Sequence, residues 1–148
     1  LTALCQYMDM KCIYCHSKTQ VTNSRSKTLD SSVWRRRQCA TCQAEFSSIE
    51  LPDYSKSLVV KSTSGKLFAF SRDKLFLSLH KALGHRQDVL NSASAICDTV
   101  VAKLIRQNDQ EKGLIKASSL ARTAHETLKR FDNLAASTYK AYHRHYIN

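Results

Sequence analysis

Two cysteine pairs constrain this chain more than any other feature. Cys12-Ile13-Tyr14-Cys15 and Cys39-Ala40-Thr41-Cys42 share one spacing and flank a 23-residue excursion. Paired Cys-x-x-Cys motifs at such a separation are what a tetrahedral Zn²⁺ site uses, each pair folding into a tight knuckle whose thiolates converge on the metal. Two disulfides or four free thiols are the competing arrangements, and neither requires the repeated two-residue spacing. Four thiolates fill the zinc shell, so a metal held by Cys12, Cys15, Cys39 and Cys42 is structural and has no open position for catalysis. The sequence also has no Gly-x-Ser-x-Gly or His-Glu-x-x-His signature, and nothing in it reads as an enzyme.

A stretch of about forty residues around a metal buries little apolar surface, so the zinc must supply much of its folding free energy. The remaining hundred or so residues are enough for a separate core. The chain is 148 residues long with a formal charge of +11, from 23 Lys+Arg against 12 Asp+Glu. That sign favours a polyanionic partner: nucleic acid, a nucleotide or an acidic membrane. No apolar run is long enough to span a bilayer and no secretory signal precedes the cysteines, so a cytoplasmic location without a membrane partner is the expectation. It suits thiolates kept reduced for a metal. Met10 stands just before the first pair and reads as the chain start, with residues 1–9 an extension.

Residues 10–50 read as a β-rich ribbon, with turns at Asn23-Ser24 and Asp30-Ser31-Ser32 and with Phe46 and Ile49 packing under the metal. Residues 51–57 read as a linker around Pro52, the only proline of the chain. Residues 58–146 read as the second domain. It opens with a hairpin, Leu58-Val59-Val60-Lys61 and Lys66-Leu67-Phe68-Ala69-Phe70, turning at Gly65. Ser71 caps a first helix that carries Leu75, Leu79 and Ala82. A second helix from about Asp88 carries Val89, Ala93, Ile96, Val100 and Leu104, and Cys97 reads as a small core residue on it. Residues 107–113 read as a polar loop. A third helix from about Ser118 and a fourth after Asp132-Asn133 complete the domain. The fold class is therefore α+β, a small β-rich zinc ribbon followed by a mainly helical domain with a hairpin and about four helices.

The basic residues of the ribbon are Arg25 and Lys27 in the excursion and the run Arg35-Arg36-Arg37 leading into Cys39. Arginine grips phosphate or a guanine edge bidentately, so these five are the candidate contacts to DNA. On a strand, Arg35 and Arg37 share one face and Arg36 takes the other, which predicts unequal roles. In the second domain, Lys61 ends the first strand, Lys74 lies one turn into the first helix and Arg86 follows that helix. Three cations converging near a helix start would suit a triphosphate. His125, His143 and His145 fall on helical segments and read as surface or interface residues.

Met10-Lys11-Cys12-x-x-Cys15, Val21-Thr22-Asn23-Ser24-Arg25, Arg35-Arg36-Arg37-Gln38-Cys39-x-x-Cys42 and Phe46-Ser47-Ser48-Ile49-Glu50 together resemble the zinc ribbon of NrdR-type transcriptional repressors. Val59-Val60-Lys61, Gly65, the segment from Phe70 to Leu75, His85-Arg86 and Leu128-x-x-x-Asp132-x-x-Ala135 fall where such proteins carry an ATP-cone domain. The resemblance implies a ribbon that reads paired repeats in promoter double-stranded DNA and a cone that binds ATP or dATP. It places the nucleotide contacts at Val59, Val60, Lys61, Lys74 and Arg86. It further implies a homo-oligomer whose form depends on the nucleotide, and repression of ribonucleotide reductase genes. The competing reading is a ribbon-based nucleic-acid or protein-binding module whose degenerate cone serves only oligomerisation.

Overall fold

The computed structural model describes residues 10–27, 31–107 and 113–147. The chain divides into two compact units, one ending at Pro52 and the other beginning at Asp53. Residues 1–9, read as an extension, and most of the expected 107–113 loop lie outside the described residues.

In the first unit, β1 (Thr19–Lys27), β2 (Ser32–Cys39) and β3 (Glu45–Glu50) form an antiparallel sheet in the order β1-β2-β3. The expected turn at Asn23-Ser24 does not form. Both residues stay in β1, and the irregularity is a register shift between Val21 and Asn23 that lets the strand continue. Ile49 does not pack under the metal. It pairs with Trp34 and is 62% exposed, because strand alternation puts it on the face opposite half-buried Phe46. Among the described residues of this unit, only Cys12, Thr19, Ser32 and Cys39 are fully buried.

The second unit begins with a short helix α1 (Tyr54–Ser57), which Asp53 caps by accepting from the Ser55 N–H; this helix occupies part of the expected linker. Strands β4 (Val59–Lys61) and β5 (Leu67–Ala69) form the expected hairpin, closed by the Ser62 N–H to Lys66 carbonyl bond and by Gly65 at φ 83°. Helix α2 (Arg72–Ala82) follows, with Ser71 Oγ accepting from the Lys74 N–H, and then α3 (Val89–Gln107). A third strand that the sequence did not announce, β6 (Leu114–Lys116), runs parallel to β4 and completes a sheet of order β5-β4-β6. Helices α4 (Ala117–Phe131) and α5 (Asn133–Tyr142) end the unit, and Asp132 caps α5 by accepting from the Ala135 N–H. One apolar cluster holds the unit together. Leu79 comes from α2 and Leu83 from its C-cap, Ala93, Cys97 and Val100 from α3, Ala124 and Leu128 from α4, and Ala135 from α5, while Ile115 joins from β6. Phe131 and Tyr142 do not join it and are 47% and 53% exposed.

Candidate functional site

The two knuckles have one backbone geometry. The Cys12 N–H donates to the Ser17 carbonyl at 2.9 Å and the Cys39 N–H to the Ala44 carbonyl at 3.0 Å. Directly after each pair stands a left-handed residue, His16 at φ 58° and Gln43 at φ 59°. Backbone amides then point at sulfur. Tyr14 N–H reaches Cys12 Sγ at 3.5 Å, and Thr41 and Cys42 N–H reach Cys39 Sγ at 3.4 Å.

All four sulfurs lie within 4.8 Å of one another. Cys12–Cys42, Cys15–Cys39 and Cys15–Cys42 are separated by 3.7, 3.4 and 3.5 Å. A tetrahedron with Zn–S bonds of about 2.3 Å sets its sulfurs about 3.8 Å apart, so these residues fit the metal. Cys12 and Cys39 are buried, and Cys15 and Cys42 form the exposed rim.

The protonation chemistry points the same way. The Ser17 hydroxyl and N–H hold the Cys15 thiol down to about 6. The Cys42 N–H, chiefly, lowers Cys39. At Cys42 the Ala44 N–H pulls down, but the neighbouring thiols of Cys15 and Cys39, with burial, outweigh it and push the group up to about 12. Four thiols this close cannot all ionise against one another, and a divalent cation removes that conflict.

The five basic ribbon residues separate by face and by partner. Arg36 is exposed and bonds Glu45 through Nε at 3.1 Å and through Nη2. Arg35 and Arg37 share the opposite face, as alternation requires. Arg35 pairs with Glu50 at 3.0 Å. Arg37 donates through Nε to Ser48 Oγ at 3.0 Å, and its Nη1 is buried without a hydrogen-bond partner. Arg25 lies with its guanidinium carbon 6.0 Å from the Trp34 ring centre, and Lys27 ends β1 in solvent.

In the second unit the structure does not bring the expected nucleotide contacts to one place. Val60 and Lys74 line a cavity of about 350 Å³ with Phe70, Ser78, Tyr139 and His143. Val59, the strand neighbour of Val60, pairs with Ala69 and Leu114. Lys61, one residue further, borders a different cleft. Arg86 follows α2 and is held there by Asp88 at 3.0 Å and Asp132 at 3.3 Å, with its guanidinium 4.8 Å from the Phe131 ring. Two carboxylates therefore occupy the cation that the sequence offered to a phosphate.

The cavity contains polar groups that the sequence reading passed over. His143 is half-buried rather than a surface residue. Its Nε2 lies 2.7 Å from Ser78 Oγ, and its ring centre is 4.3 Å from that of Tyr139. Burial holds the imidazole below its ordinary value, favouring the neutral ring. Ser78 and His143 are remote in sequence, and only the packing of α2 against α5 joins them. A mainly apolar cavity of this size with a few convergent polar groups has the build of a small-molecule site, for which about 300–1,000 Å³ is typical.

Comparison with known proteins adds the following. A family model described as "Transcriptional repressor NrdR-like, N-terminal domain" matches residues 10–50. The transcriptional repressor NrdR of Albidiferax ferrireducens is 33% identical over 138 residues, 90% of this chain and 90% of its own length. The repressors of the same name from Petrotoga mobilis and Natronomonas pharaonis are 30% and 29% identical, covering 90% of this chain and 89% and 83% of their own lengths. Among the described residues, no helix is long and apolar enough to cross a membrane.

Proposed function

This chain belongs to the NrdR family of transcriptional repressors, a non-enzymatic class, and has the family's four-cysteine zinc site; from that premise we propose that it represses ribonucleotide reductase genes in response to an adenine nucleotide. Cys12, Cys15, Cys39 and Cys42 would hold the Zn²⁺, which fixes the ribbon and leaves no coordination position for chemistry.

The ribbon, residues 10–50, is the DNA-binding part of this reading. The observation that supports it best is the set of cations on the three-stranded sheet, Arg35 and Arg37 on one face and Arg25, Lys27 and Arg36 on the other. Arginine grips a phosphate oxygen or a guanine edge bidentately. Arg35 must exchange Glu50 for DNA, while Arg25 and Lys27 on β1 lie on the opposite face of the sheet, with Arg36. Arg36 is committed to Glu45 on the other face and acts as a spectator.

The nucleotide half rests on the cavity that contains Val60 and Lys74. A purine fits against Phe70 and Tyr139, with the Ser78–His143 pair on its edge and the Lys74 ammonium directed at phosphate. Residues 58–146, with 51–57 leading into them, act as the sensing and self-associating part. Bound ATP or dATP would select the homo-oligomer that sets two ribbons at the spacing of paired promoter repeats.

The test is binding of the zinc-loaded protein to repeat-bearing DNA from a reductase promoter, with titration calorimetry and light scattering in parallel. ATP or dATP should alter oligomer mass and DNA affinity, and Lys74→Ala should abolish both effects while leaving nucleotide-free DNA binding intact. The engagement of Arg86 by Asp88 and Asp132 favours a second reading, in which the helical unit only assembles the protein. Absence of heat and of any mass change at millimolar nucleotide would establish that second reading.

A further inference from the structure

Strand alternation in the first unit gathers Arg25 and Lys27 of β1, Trp34 of β2 and Ile49 of β3 on one face of the sheet. Trp34 stands on the central strand, directly between its register partners Arg25 and Ile49. The Arg25 guanidinium carbon lies 6.0 Å from the indole centre, and Ile49 is 62% exposed. Among the described residues this unit consists of strands alone, so it has no helix of its own to pack over the indole. A half-buried indole on an open sheet, beside an exposed isoleucine, is an apolar platform that its own unit leaves uncovered.

The charge around the platform selects its occupant. Arg25 and Lys27 are exposed, and neither forms an ion pair with a described residue. The nearest carboxylates are engaged elsewhere. Glu45 bonds Arg36 toward the cysteine end of the sheet, and Glu50 pairs with Arg35 on the other face. A fitting partner must therefore carry negative charge and also present a flat apolar surface. A nucleobase on a phosphodiester chain does both, with the base stacked on the indole and the phosphate met by a neighbouring cation. In a duplex both faces of each base are already stacked, so only an unpaired base is free to lie on Trp34.

We propose that the Trp34 face of the ribbon binds single-stranded nucleic acid, with one unpaired base stacked on Trp34 against Ile49 and with Arg25 and Lys27 on the adjacent phosphates. This partner goes beyond the duplex reading and does not rest on it, since Arg35 and Arg37 lie on the opposite face.

The zinc-loaded full chain tests this with its own reporter, because Trp34 is the only tryptophan. At low ionic strength it is titrated with oligothymidylate of about fifteen nucleotides and with a blunt duplex of the same length, following Trp34 emission and the anisotropy of a labelled strand. Oligothymidylate should bind and quench Trp34, whereas the duplex should leave the emission unquenched whether or not it binds, which keeps the two readings distinguishable. Trp34→Ala should weaken the single strand by about fivefold or more, the loss of one stacked base, and Trp34→Phe should retain most of the affinity. Ile49→Glu, at an exposed position, should also weaken it, and Ile49→Lys should not. Zinc content and far-UV circular dichroism check that every variant is folded. The proposal is overturned if oligothymidylate does not bind, if it binds without quenching Trp34, or if Ile49→Glu and Ile49→Lys bind alike. It is equally overturned if Ile49→Glu changes only the oligomer mass, which would make this face a contact between copies of the chain.

Discussion

Replacing Cys39 with serine should unfold the ribbon and leave the helical unit folded. Cys39 is 1% exposed, lies 3.4 Å from Cys15 Sγ and accepts two backbone N–H groups. Among the described residues around it, no apolar side chain other than the cysteines is fully buried. Structural zinc contributes about 10–16 kcal/mol in small sites of this kind. That equals or exceeds the roughly 5–15 kcal/mol net stability of an ordinary domain, so nothing in the three-stranded sheet can replace it. The helical unit keeps its own cluster of Leu79, Leu83, Val100 and Leu128. The chain supplies a local reporter, since its only tryptophan, Trp34, lies in β2. In Cys39→Ser, or in wild type stripped of metal by a chelator, Trp34 emission should move to that of solvated indole. Far-UV circular dichroism should retain the helical signal. Elemental analysis must accompany both. An unchanged Trp34 spectrum in protein verified to be free of zinc would refute the argument that the metal holds this sheet together.

Three further outcomes are expected. Gly113→Ala should destabilise the helical unit by about 2–3 kcal/mol in urea melts, because the residue has φ 83° and an added Cβ would lie 2.5 Å from the Ser57 carbonyl oxygen. Arg37→Ala should lower the salt slope of DNA binding by about 1, while Arg36→Ala, tied to Glu45, should leave it unchanged; salt titrations of DNA affinity measure both. The Ala135 N–H, then His85 and Arg86, hold the Asp132 carboxyl down to about 2 from an ordinary 3.8, so its ionised form stabilises the fold above pH 3.8 and that contribution is lost as pH falls through about 2. The stability advantage of wild type over Asp132→Asn should therefore shrink across that window in acid titrations of unfolding.

What the sequence made legible follows how local each signal is. The cysteine spacing carries the metal site because each knuckle is a contiguous turn, and both knuckles meet at the end of one antiparallel sheet. Helices α2 to α5 were legible from long periodic stripes and from the caps at Ser71 and Asp132. Strand β6 was not, because three residues show no periodicity and its parallel partner lies beyond two helices. Ser78 and His143 were missed for the same reason, since their contact exists only after α2 meets α5. Arg86 shows what sequence leaves out in the other direction. A basic residue after a helix reads as a phosphate contact, and the carboxylates of Asp88 and Asp132 beside it become visible only in the fold.

The parallel strand also dictates an order of assembly. An antiparallel hairpin such as β4–β5 closes through a few residues, whereas β6 reaches β4 only after α2 and α3 have turned the chain back. Loop-closure entropy therefore delays that pairing relative to the rest of the sheet. A contact that forms late, through three residue pairs, is also the one that a modest perturbation opens first. Amide hydrogen exchange should show β6 losing protection before the helices around Leu128 do. The second unit thus has a built-in seam along β4–β6, three residue pairs long.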